Sequence, residues 1–174
     1  MSAASNYLED KLLDHVLNFG NGSLTAGSGS GFAPPSVVYV ALFTANGTTQ
    51  KDALAAALEA NTSGTDADTK FGYYEVQTSG STNYARQSIS FGAAGSPGGN
   101  ATGTIKTDAT VSFPVAGADY QSAGSTGNVV THIAIMDAAT TGNVLFYGAL
   151  STEKTVSNGD QFTISSGNLS ISLA

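Results

Sequence analysis

The chain has 174 residues, 11% of them charged and none of them cysteine, and its 6 Lys and Arg against 13 Asp and Glu give a formal net charge of −7. That length suits one domain burying roughly 70% of its unfolded surface, and the missing cysteines exclude disulfides and thiolate chemistry. The negative charge and scattered basic residues exclude a nucleic-acid partner, and no apolar run approaches the ~20 residues of a membrane-spanning helix.

The first element in chain order is a helix over Ser5–Phe19, SNYLEDKLLDHVLNF. Leu8, Leu12, Leu13, Val16 and Leu17 recur there at helical spacing and leave Glu9, Asp10, Lys11 and Asp14 for the polar side. Asn6 and Glu9 form a capping-box pattern, and Gly20-Asn21-Gly22 stops the helix. Its apolar stripe is expected to pack on the protein's own sheet, making residues 1–20 part of the β-domain; docking of Leu8, Leu12 and Val16 onto a neighbouring subunit is the other expectation. The chain starts with neither the basic segment nor the apolar centre of a signal peptide, so synthesis as a soluble cytoplasmic protein is expected.

Residues 21–36 read as a flexible linker. Gly27, Gly29 and Gly31 lack the preceding strand and following helix of a dinucleotide-binding loop. From 37 to 174 the pattern is that of a single β-domain. VVYVALFT, residues 37–44, is a strand ending at the turn signal Asn46-Gly47. KDALAAALEAN, residues 51–61, predicts a short helix capped by Asp52. Strands are predicted over 85–92, 102–114, 129–138, 143–151, 153–165 and 169–174, divided by glycine-rich turn clusters. The expected fold is mainly β: an antiparallel β-sandwich or small barrel with an N-terminal amphipathic α-helix and one further short helix.

VTHIAIMDAATTGNVLFYGAL, residues 131–150, places a histidine and an aspartate on one strand among many serines. Strand side chains alternate, so His132 shares a side with Ala134 and Met136 while Asp137 falls on the side of Ile133 and Ile135. They cannot form the base and orienting carboxylate of a triad, and no G-x-S-x-G motif is present. The stretch therefore predicts a hairpin turned by ATTGN. Two histidines, His15 and His132, are too few for a histidine-rich metal site, and Asp66 and Asp68 lack the glycine and closing glutamate of a calcium loop. Asp108, Asp137 and Asp160 are the carboxylates from which a glycosidase pair would have to come. No catalytic residue, cofactor or metal is expected. Tyr73, Tyr74 and Tyr120 lie near predicted loops and are, with Leu8, Leu12 and Val16, the candidate partner contacts.

Read in order, SNYLEDKLLDHVL, VVYVALFT, YARQSISFG, VSFPVA, the hairpin stretch and KTVSNGDQFTISSGNLSISL resemble a family of small virion structural proteins of tailed bacteriophages, often labelled tail-fibre proteins. Against that pattern, residues 21–33 and 45–80 read as insertions that decorate a common core. The resemblance implies a non-enzymatic virion protein whose partners are major capsid or tail proteins. The short charge supply and open strand edges imply a homo-oligomer or symmetric array. A compact domain without heptads or a collagen-like repeat favours capsid decoration, as a cement protein. The alternative is a tail fibre or other tail-associated protein, with binding to the host surface.

Overall fold

Strands that read as unbroken apolar runs need cover on both faces of their sheet, and two such runs, VYVALFT and VVTHIAIM, pair at the centre of this protein. The computed structural model describes residues 3–7, 35–65, 69–93, 103–125 and 127–172. Leu8, Leu12, Val16, nearly all of the linker, and the Asp66/Asp68 pair lie outside the described residues.

The strands are β1 (Ala3–Ala4), β2 (Val38–Thr44), β3 (Gln87–Ile89), β4 (Thr104–Lys106), β5 (Val111–Ser112), β6 (Val129–Met136), β7 (Val144–Thr155), β8 (Thr163–Ile164) and β9 (Ser170–Ser172). Between β2 and β3 come helix α1 (Gly47–Glu59) and the helical turn α2 (Phe71–Tyr74). The main sheet has the order β1-β7-β6-β2-β3, with every neighbouring pair antiparallel. Two short ladders, β4-β9 and β5-β8, supply residues to the core on one of its faces. The β-sandwich expected from the sequence is thus present, and helices back its other face.

Alternation sorts the two cores. Val40, Leu42, Ile133 and Ile135 meet Val111, Phe113, Phe162 and Ile164 on the ladder side. Ala41, Phe43, Ala134 and Met136 meet Leu54 and Leu58 of α1 and Phe71 and Tyr74 of α2 on the other. Ala41 pairs directly with Ala134, which keeps that face shallow beneath the helix.

The structure corrects the reading of residues 45–80 as a decorating insertion. They supply the cover of one whole sheet face, and each leucine buried there contributes roughly 2 kcal/mol. Helix α1 also begins at Gly47 rather than residue 51, and Asp52 lies inside it rather than capping it. The turn signal Asn46-Gly47 is real, since Gly47 takes φ +65°, but the helix follows at once. Gln50 Oε1 accepts the Asn46 N–H at 2.7 Å, stabilising an early start that weak helix formers concealed. At the far end Asn61, with φ +51°, closes a Schellman motif: its N–H donates to Leu58 and that of Thr62 to Ala57.

Two more boundaries move. Predicted strand 143–151 and the start of predicted strand 153–165 lie in one strand, β7, because Leu150–Glu153 arch out opposite Thr131 and pairing then resumes at Lys154, while the end of the 153–165 segment forms β8. The predicted strand over 102–114 divides into β4 and β5, with the Thr107 N–H bonded to Leu169 and that of Asp108 to Ser90. The ATTGN hairpin forms as predicted, β6 pairing with β7 from Met136↔Val144 onward.

Gly72 marks the tightest junction on the helical side. A Cβ there would stand 2.5 Å from the Gly64 carbonyl oxygen, while the neighbouring Phe71 N–H holds Thr62 at 3.0 Å. Gly72→Ala is expected to destabilise the fold by about 1–3 kcal/mol through forced displacement of backbone, measured by urea unfolding. An unchanged midpoint would mean that the 62–65 loop yields freely.

Candidate functional site

A cleft of about 750 Å³ opens between the 63–65 loop, α2, the segment 76–79 and the β6–β7 turn at 139–142. Its floor carries Glu75, the C-cap of α2, together with Tyr84 and Arg86 on the approach to β3. Arg86 Nε donates to Glu75 Oε1 and Nη2 to Oε2, both at 2.7 Å, a bidentate pair. Nη1 donates to the Ala138 carbonyl at 3.0 Å and to that of Thr141 at 2.5 Å, which fastens the hairpin turn to the floor. The Tyr84 hydroxyl donates to Glu75 Oε1 at 3.1 Å and accepts the Leu42 N–H at 3.0 Å.

The electrostatics follow from that packing. The Arg86 side chain is 5% exposed and that of Glu75 16%. Burial alone would lower the Arg86 pKa, but the hydrogen bonds and charge of Glu75 outweigh it and raise the value. Burial first, and the Glu75 charge second, raise the Tyr84 pKa well above its ordinary range, so the phenol stays protonated and donating. On the rim Thr141 has φ +53°, a strained conformation for a β-branched residue that the Arg86 hydrogen bond helps to hold.

None of these three residues stands out in the sequence reading. The available signal was Arg86 itself: where only 11% of residues are charged, a cation at the mouth of an apolar strand points to a buried partner.

His132 and Asp137 are separated as alternation requires. His132 is buried beside the Lys51–Glu153 ion pair, its Nδ1 3.0 Å from Thr131 Oγ1. Asp137 instead closes the hairpin, accepting the Asn143 N–H at 2.6 Å and Nδ2 at 2.8 Å. The other weighed carboxylates also secure loops: Asp160 accepts the Ser157 N–H at 2.9 Å, and Asp108 accepts the Ser90 hydroxyl. The three serve separate turns rather than converging on one site.

Burial, and then the Lys51 charge, lower the His132 pKa against the weaker opposite pull of Glu153. The unfolded chain therefore binds a proton near pH 6.5 that the folded chain takes up only at lower pH. Stability is expected to fall as the pH drops through that value, by at most about 1.4 kcal/mol per pH unit from this group. Urea unfolding at pH 5, 6, 7 and 8 measures the slope, and His132→Gln should flatten it. An equal slope in the variant would remove His132 as its source.

The structure corrects two of the tyrosine assignments. Tyr74 and Tyr120 are 0% exposed, so neither offers a surface to a partner. Tyr74 sits under α1 with its ring edge-on to that of Tyr73 at 5.2 Å. Tyr120 donates to the Pro114 carbonyl at 3.0 Å and meets Tyr84 edge-on at 5.7 Å. Both loops fold back onto the sheet because an exposed ring would forfeit its burial energy. Tyr73 is half-buried and keeps part of its ring at the surface.

The family model described as Podophage GP4 fiber I protein gp80 matches residues 56–172. No curated protein matches the chain. The matched region starts inside α1, so it holds both cleft walls, β6, β7 and the two ladders but leaves out β2 and the SNYLEDKLLDHVL block. With well over half of its 174 residues matched, the chain belongs to the podophage fibre I protein family, a family of tailed-phage virion structural proteins.

Proposed function

We propose that this chain is a non-enzymatic subunit of a podophage fibre. The observation that carries the reading is the match over residues 56–172 to a family described as a fibre protein. The carboxylates and the arginine of the chain support a structural role, because each described one weighed above is committed to a turn or an internal pair. Assembly with other copies or virion proteins draws on β7. Beyond its pairing with β1 at Tyr147, its outer edge has no strand partner among the described residues, and Ser151–Thr155 are exposed.

Capsid decoration is the second reading. The described residues supply a layered sheet with covered faces and no shaft element, as suits a protein seated on a shell. Cryo-electron microscopy of virions carrying a tagged copy of the chain separates the two. Density at the tail is expected, and density repeating over the capsid lattice would replace the fibre reading with decoration.

A further inference from the structure

The hydrogen bonds at the cleft floor leave one donor and one acceptor uncommitted, side by side. An arginine has five N–H donors, and Arg86 uses four: Nε and one on Nη2 toward Glu75, and both on Nη1 toward Ala138 and Thr141. A carboxylate offers about four acceptor positions. Glu75 Oε1 takes bonds from Tyr84 and Arg86, whereas Oε2 takes only the one from Nη2. The spare N–H on Nη2 and the spare lone pair on Oε2 thus belong to atoms 2.7 Å apart, and both residues line the cleft.

From this we propose that the cleft binds a neutral saccharide unit through a vicinal diol, one hydroxyl accepting from Arg86 Nη2 and its neighbour donating to Glu75 Oε2. Adjacent hydroxyls on a sugar ring present the acceptor and donor that such a pair requires. The mutual neutralisation of Arg86 and Glu75 gives neither an anion nor a cation a net charge to seek. Hydroxyl side chains at Ser63, Thr65, Thr78 and Thr140 line the walls. A volume of about 750 Å³ lies within the range of small-ligand sites and exceeds one sugar ring. The guanidinium is already clamped on two carbonyls, so binding does not have to order it, and the strained Thr141 stands at the same rim. A tie that merely held the hairpin to α2 would bind no sugar.

The test titrates the ¹⁵N-labelled full chain with the methyl glycosides of glucose, mannose and galactose, and separately with cis-1,2- and cis-1,3-cyclohexanediol. At least one glycoside should produce saturable shifts of the Arg86 Nε–H and of the Ala85, Thr141 and Gly142 amides, and the 1,2-diol should move the same signals more than the 1,3-diol. Ala139→Trp and Ala123→Trp, at exposed positions on the cleft wall, should retain the wild-type melt and weaken the glycoside at least about tenfold, the equivalent of one lost charged hydrogen bond. No saturable shift with any glycoside, equal response to the two diols, or undiminished binding in both folded tryptophan variants would overturn the assignment. The site does not depend on fibre or capsid placement, so its failure would leave that question untouched.

Discussion

Arg86→Ala is expected to lower the melting temperature by roughly 10 °C, because removing one partner of a buried pair costs about 3–5 kcal/mol and each kcal/mol shifts a chain of this size by about 2–4 °C. The loss has three parts. Glu75 keeps a charge that is largely buried, and the Ala138 and Thr141 carbonyls lose their donor. The strained Thr141 also loses the contact that helps hold it. Breaking the pair from the other side, Glu75→Ala should cost a similar amount. The double variant Arg86→Met with Glu75→Leu should lose less than either single change, since it leaves no uncompensated charge. Calorimetry on the four proteins checks this. A double variant as unstable as the sum of the singles would show that the pair is not energetically coupled.

Phe113→Ala is expected to be of comparable severity, about 3–5 kcal/mol out of a total that for most domains is about 5–15. Its ring is 0% exposed, stacked on Tyr84 at 5.9 Å and edge-on to Phe162 at 5.7 Å, and Tyr84 continues the contact to Tyr120. The ring thus joins the β5-β8 ladder to the main sheet, and its Tyr84 neighbour reaches the cleft floor. Urea unfolding measures the loss. Because the two cores share the sheet, a single cooperative transition is expected, and a ladder side melting before the helical side would show that they unfold separately.

These two changes act on interactions with very different visibility in the sequence. Phe113 lies in VSFPVA, an apolar stretch whose place in a strand segment is legible. Its ring partners are not, because Tyr84 and Phe162 are brought to it by folding from distant parts of the chain. Arg86 lies in a legible block as well, but its meaning depends on Glu75 and on the Ala138–Thr141 turn.

What the sequence by itself determines here is local. The β6–β7 hairpin is legible because period-two alternation and turn chemistry act over a few neighbouring residues, and the opposed faces of His132 and Asp137 follow from the same period. The layered, mainly β architecture follows from the succession of such segments and turns. Only the tertiary structure decides the rest. It places β2 between β6 and β3, gives residues 45–80 the task of covering a sheet face, turns Tyr74 and Tyr120 inward, and closes Glu75 on Arg86 beneath a cleft. The physical reason is that strand periodicity says a face must be buried without saying by what. That choice falls to burial and hydrogen-bond satisfaction between segments far apart in the chain, which have no local signature.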